Sequence, residues 1–305
     1  METFMKHTSQ FNGARDSASA TIKTENQNQH VCGNPEKKRT MKSVIFRGVV
    51  LGVAIGLTLW LCACATSPKG RRQLLIVPDS QMTTMGIQAF NEIKSREKID
   101  RSPSRNSYVK CITTALTSSL SDRQTWEVVV FEDSTPNAFA LPGGKIGVHT
   151  GMMNIARTQG QLAAVIAHEV GHVIAHHGNE RVSEQFATQG GLSLISSILE
   201  AKGKNYDLLM AGLGLGAQFG ILLPHSRTQE SEADLIGLDL MAKAGFNPQE
   251  AIQLWQAMEK AGGGKQIEFL STHPSHGTRI EELEANMANA QKFYEVSTQR
   301  PNCQL

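Results

Sequence analysis

Five residues, HEVGH from His168 to His172, constrain this chain more than any other feature. They lie in GQLAAVIAHEVGHVIAHHG, Gly160 to Gly178. There Leu162, Val165, Ile166, Val170, Val173 and Ile174 recur at helical spacing and predict one buried amphipathic helix. On such a helix His168 and His172 stand one above the other. Two imidazoles so placed can hold one zinc ion, and Glu169, turned off that axis, can work on a water beside the metal. A five-residue motif also arises by chance, so a third ligand is needed.

The run HSRTQESEADLIGLDLMAKAGF supplies one. Leu235, Leu238, Leu240 and Met241 predict a second helix, which Gly245 and Pro248 end. Glu230 and Asp234 are again four apart on one face. Glu230 can be the third ligand, and Asp234 can accept a hydrogen bond from a ligand histidine and fix its tautomer. Glu232 points elsewhere and is predicted at the surface. A metzincin would continue as HExxHxxGxxH, but Ala175 and Gly178 stand where its glycine and last histidine belong. His176 and His177 therefore read as helix-end residues, favourable near the negative end of the dipole. The site is glutamate-liganded, as in a gluzincin.

The 305 residues, 40% hydrophobic, can bury a substantial core. A formal charge of +2 with 6% aromatics offers no basic, aromatic-interleaved surface, which argues against nucleic acid. Residues 1–40 are polar and aperiodic, and read as disordered or as an upstream extension with translation starting at Met41. From Met41, a basic start (Lys42, Arg47), an apolar core (Val49 to Leu61) and a small-residue segment predict a signal peptide over 41–63. Leu61-Cys62-Ala63-Cys64 looks like a bacterial lipobox, with Cys64 the lipidated residue. The alternative is an uncleaved transmembrane anchor. Either places the bulk of the chain beyond the inner membrane, in an oxidising compartment. There Cys111 and Cys303 either form a disulfide or stay as two thiols.

Residues 64–78 read as the lipidated cysteine and a linker, and 79–305 as one domain. Helices are predicted at Ser80–Lys98 and Arg105–Leu120, and a strand at Trp126–Glu132. A hairpin follows, Asn137–Leu141 through Pro142-Gly143-Gly144 into Lys145–His149. GMMNIART then starts a helix leading toward the first zinc helix. Within Gly190–Pro224 the apolar core LLMAGLGLGAQFGILLP is below the length needed to span a membrane and is interrupted by glycines, so it reads as tightly packed helices. Gln249–Lys260 is a further helix, His273 sits in a loop before Pro274, and a charged helix runs from about Gly277 to Phe293.

Four stretches in order, NAFALPGGKIGVHTGM, HEVGH, LPHSRTQESEAD and STHPSHGTRIEEL, resemble the HtpX-, BepA- and LoiP-like zinc metallopeptidases. That family also includes mitochondrial inner-membrane and prenyl-protein CAAX endopeptidases. The resemblance covers about Ser80 to Phe293. It implies an α+β, mainly helical zincin-like fold with a small sheet beside the HExxH helix. It maps His168, His172 and Glu230 onto the zinc ligands and Glu169 onto the catalytic glutamate. His273 maps onto a histidine that in some members reaches the metal and gives a latent state; the alternative is a loop histidine capping a helix. His225 stands where many members carry an aromatic residue. His225, Arg227 and Arg279 are the candidates for oxyanion or substrate contacts.

The expected activity is zinc-dependent hydrolysis of unfolded or misassembled envelope proteins by a lipid-anchored peptidase on the periplasmic side of a Gram-negative envelope. Ala65 after Cys64 is not Asp, which by analogy with bacterial lipoproteins implies outer-membrane sorting. The rival from another class is an outer-membrane protein assembly factor or chaperone with a latent zinc site. The Lys145–His149 strand, if at the sheet edge, could add an extended substrate as an extra strand.

Overall fold

The computed structural model describes residues 64–120, 124–188, 225–262, 268–273 and 277–305. The signal segment 41–63 and the glycine-rich Gly190–Pro224 stretch lie outside them. Strands β1 (Cys64–Thr66) and β2 (Arg72–Leu74) form an antiparallel ribbon. Helices α1 (Asp79–Arg96) and α2 (Pro103–Thr117) follow, then β3 (Glu127–Phe131), β4 (Ala138–Leu141) and β5 (Lys145–His149). Next come α3 (Thr150–Ile155), α4 (Gln159–Ile174) and α5 (His177–Thr188). The remaining helices are α6 (Arg227–Lys243), α7 (Gln249–Gly262), α8 (Glu268–Thr272) and α9 (Arg279–Val296). The expected α+β, mainly helical architecture is what forms.

The sheet order is β3-β5-β4, with β5 parallel to β3 and antiparallel to β4. Lys145–His149 is thus the central strand, with β3 and β4 at the two edges. The hairpin returns β5 between its partners because β3 takes the other side. Side chains alternate across the sheet. Phe131, Phe139 and Leu141 pack with Ala89, Phe90 and Ile93 of α1. Val130, Ile146 and Val148 turn instead to the main core with α2 and α4.

Helix α4 is the centre of that core. Thr158 caps it by accepting from Gln161 N, which satisfies a donor the first turn would leave open. Leu162, Val165, Ile166 and Val170 are almost fully buried, each contributing on the order of 1.5–3 kcal/mol. The helix is shorter than the sequence predicts. It ends at Ile174, His176 takes φ 54°, and His177 begins α5.

Helix α6 starts from a capping box, Ser226 Oγ accepting from Gln229 N while Gln229 Oε1 accepts from Ser226 N. α4 and α6 cross in close contact. A methyl at Gly171 would lie 2.9 Å from Ala233 O, and one at Gly237 2.9 Å from His168 N.

The stretch expected to be a linker is ordered. Its ribbon docks on the joint between α4 and α5, where Gln73 Nε2 donates to Ala175 O at 2.6 Å and Ser183 Oγ accepts from Ile76 N at 2.8 Å. At the other end, Cys111 and Cys303 are joined by a disulfide with Cα atoms 5.8 Å apart. Gln159 at the start of α4 holds the same tail through Cys303 N (2.8 Å) and Pro301 O (3.0 Å).

Candidate metal centre

Helix α4 presents His168, Glu169 and His172, and α6 answers with Glu230 and Asp234, all buried. His168 Nε2 lies 3.0 Å from His172 Nε2 and 3.5 Å from Glu230 Oε2. His172 Nε2 is 3.4 Å from Glu230 Oε1. His273, whose N donates to Phe269 O at the end of α8, brings Nδ1 to 3.2 Å from His168 Nε2 and 3.0 Å from Glu230 Oε1. One ligand atom from each of these four residues lies within 4.8 Å of the others.

The donor set fits zinc. Ligands about 2.0–2.1 Å from a tetrahedral ion stand about 3.3 Å from one another, which is the spacing found. The outer nitrogens agree. His168 Nδ1 is 2.9 Å from Asp234 Oδ1, so it carries the proton and leaves Nε2 as a lone pair. Lone pairs and carboxylate oxygens therefore converge on one point, an arrangement that calls for a cation.

The titration of these groups reflects how closely the two carboxylates press on the imidazoles. Burial alone would lower His168, yet its hydrogen bonds to Asp234 and Glu230 raise it to about 9. Burial would likewise raise Glu230, but His273 and the bonds from His168 and His172 hold its carboxyl well below the usual range. His172 is kept neutral by burial. Glu169 stands apart, because burial pushes its carboxyl up. That is the direction a proton acceptor near neutral pH needs. Its Oε2 accepts from Ala140 N at 3.2 Å, on the outer edge of β4, and its Oε1 is 3.3 Å from His273 Nε2.

The three oxyanion candidates separate. Arg279 is buried and faces α6 rather than a cleft. Its Nη2 donates to Asp234 Oδ1 (2.7 Å) and lies 3.1 Å from Glu230 Oε2, Nε pairs with Asp234 Oδ2, and the guanidinium lies 3.5 Å over Trp255. Arg227 is exposed and lines a surface hollow that none of the clustered histidines touches. Neither is placed to meet substrate. His225 is beside the cluster, its ring 3.8 Å from that of His172 and stacked at 5.0 Å on that of His273. It also accepts from Arg181 Nη1 at 2.8 Å.

Three residues escaped the sequence reading. Arg181, lowered to about 10 by burial, lines a cavity of about 190 Å³ with Ala140, Leu141, His172 and His225. His177 is fully buried and opens α5 rather than ending the metal helix, and Glu232 is buried rather than exposed. Glu232 does point away from the metal, but that direction leads to α5 and the ribbon rather than to water.

The chain is similar to several known proteins. The profile of "Peptidase family M48" matches residues 103–287. "Mitochondrial metalloendopeptidase OMA1" of Schizosaccharomyces pombe is 41% identical over 182 residues, 59% of this chain and 52% of that protein. "Metalloendopeptidase OMA1, mitochondrial" of Bos taurus is 30% identical over 278 residues, 86% of this chain and 53% of that protein. "Metalloprotease LoiP" of Escherichia coli is 28% identical over 222 residues, 71% of this chain and 84% of that protein. The chain thus spans about half the length of these mitochondrial relatives.

Proposed function

The chain belongs to peptidase family M48, a family of zinc metallopeptidases, and we propose that it is an endopeptidase whose zinc is held by His168, His172 and Glu230. The observation that carries this reading is the convergence of their ligand atoms with Glu169 beside them. When bound, zinc lowers the pKa of a water from about 15.7 toward about 7 and polarises the scissile carbonyl. Glu169 takes the proton of the attacking water and hands it to the leaving amine. In this structure its carboxylate accepts from Ala140 N–H. Arg181 and His225 line the cavity beside His172 and are our candidate donors to the developing oxyanion.

Substrate enters along β4, the edge strand beside Glu169, since Lys145–His149 lies at the sheet centre and not at its edge. An extended chain can pair with such an edge, and a compact fold cannot. This favours unfolded or misassembled proteins. The signal-like segment 41–63 and the lipobox at Cys64 support a lipid-anchored protein on the periplasmic side of a Gram-negative envelope, sorted to the outer membrane. Loss of lipid labelling in Cys64→Ala, with labelling in the parent chain, tests the anchor.

The ring of His273 spans Glu230 and Glu169 and sits between the rings of Phe269 and His225. It occupies the side on which water and substrate must enter, so this arrangement is read as latent. The same observation favours the second reading, an outer-membrane assembly factor that seldom cuts.

Zinc content and casein cleavage of the chain, beside Glu169→Gln and His273→Ala, decide the matter. One zinc, cleavage abolished in Glu169→Gln and raised in His273→Ala, supports the latent peptidase. One zinc without cleavage in any variant transfers support to the assembly factor. No zinc sinks both.

A further inference from the structure

The two histidines of the HExxH helix are held in different ways. The outer nitrogen of His168 meets a carboxylate directly, Asp234. The outer nitrogen of His172 meets another imidazole, with His177 Nδ1 2.8 Å from His172 Nδ1. One of these two nitrogens carries the proton. If Nε2 of His172 is to offer a lone pair to a zinc shared with Glu230, its proton sits on Nδ1 and His177 accepts it. His177 then carries its own proton on Nε2, which lies 3.2 Å from Glu232 Oε2.

That carboxylate does not stand alone. Glu232 Oε2 also accepts from Arg71 Nε at 2.9 Å. Arg71 turns its other edge to Glu180, with Nη2 2.7 Å from Oε2 and Nη1 on Oε1. Gln229 Nε2 donates to Glu180 at 2.8 Å as well. His177, Glu180 and Glu232 are buried. Arg71 belongs to the turn of the β1–β2 ribbon, where its N donates to Ser67 Oγ at 3.1 Å and its carbonyl accepts from Ser67 N at 2.8 Å. A hydrogen-bonded line therefore runs from the ribbon to the metal-facing side of α4.

We infer that His177 is a positioning residue: it accepts the Nδ1 proton of His172, and Glu232, locked by Arg71 of the N-terminal ribbon, fixes His177 in the tautomer that can accept. This rests on the zinc reading above. Both ligand imidazoles then end on a carboxylate, one directly and one through a second ring. Partners of this kind set ligand orientation and basicity, and their loss costs about 10- to 100-fold in metal affinity. His172, His177 and His225 also lie within 4.8 Å as a possible ligand set of their own. A metal there would need a nitrogen of His172 beyond the one turned to Glu230, so the relay is the better account of the 2.8 Å contact.

The test is zinc affinity of the purified full chain, measured by competition with a chromophoric chelator, with stoichiometry by elemental analysis. His177→Phe keeps the bulk and removes the acceptor, and should weaken zinc about 10- to 100-fold. His177→Asn, whose Oδ1 can stand where Nδ1 does, should stay within a few-fold of the parent. Arg71→Gln leaves all the clustered histidines in place and should weaken zinc by a smaller factor, roughly three- to tenfold, by loosening Glu232. Unchanged affinity in His177→Phe, equal loss in Asn and Phe, or two zinc ions per chain overturns the relay while leaving the peptidase reading intact. If His177→Phe does not fold, unchanged affinity in Arg71→Gln overturns it instead. A parent chain that binds no zinc overturns both readings together.

Discussion

Gly237 lies against the backbone of His168: a methyl built on it would stand 2.9 Å from His168 N and 3.0 Å from its Cα. The helix carrying Glu230 and the helix carrying the histidines meet main chain to main chain. Main chain cannot swing aside as a flexible side chain would, so Gly237→Ala must push the helices apart. In a free helix this change would stabilise by about 0.8–1 kcal/mol. Here a net loss of about 1–3 kcal/mol is expected from overpacking, with weaker zinc retention. Urea unfolding and zinc content check both; a more stable variant would show that the contact yields.

Arg279 neutralises two buried carboxylates, Asp234 and Glu230, and lies on Trp255. Arg279→Met keeps much of the bulk but leaves those charges without their partner. Removing one side of such a buried pair costs about 3–5 kcal/mol. The loss should be larger for zinc-stripped protein, since a bound cation offsets part of the same charge. Melting with and without chelator reads the difference.

The Cys111–Cys303 bond closes a loop with a sequence separation of 192. Long loops gain the most from closure, and removing such a bond typically costs about 2–4 kcal/mol. Cys111→Ser with Cys303→Ser should lower the melting temperature, and reductant should lower that of the parent alone. Equal melting of the two proteins with and without reductant would mean the bond contributes nothing.

Glu127 joins three elements: Oε1 accepts from Lys94 of α1 and Oε2 from Lys145 of β5, both at 2.8 Å. Lys145 and Lys94 hold its carboxyl below the ordinary 4.5. A depressed carboxylate contributes stability that is complete above the unfolded value and lost as pH falls through the folded one. The stability gap between the parent and Glu127→Gln should therefore be widest near neutrality. It should narrow below about pH 4.5; a gap that widens in acid would reverse the assignment.

The two metal helices were legible because a four-residue step writes ligands and core on fixed faces. Glu230 could be named from ESEAD before any packing was known. What stayed hidden depends on elements distant in sequence. The position of β5 at the sheet centre is set by β3, whose pairing leaves no mark in the hairpin itself. The ribbon at Cys64–Leu74 looked like a linker because its three-residue strands carry too little pattern to read. His177 and Glu232 were misjudged for a related reason. Each is polar, and its partners inside the protein come from other elements: His172 and Glu232 for His177, His177 and Arg71 for Glu232.

One hydrogen bond described above joins two duties. Ala140 N–H is an outward donor of the edge strand β4, and its acceptor is Glu169. An incoming extended chain that pairs with β4 competes for that same N–H. On the proposed mechanism, recognition and release of the base are then one exchange of partners. A client that offers a free strand frees the carboxylate it needs for its own cleavage. A compact protein, with no backbone carbonyl to trade, leaves the base tied to the sheet.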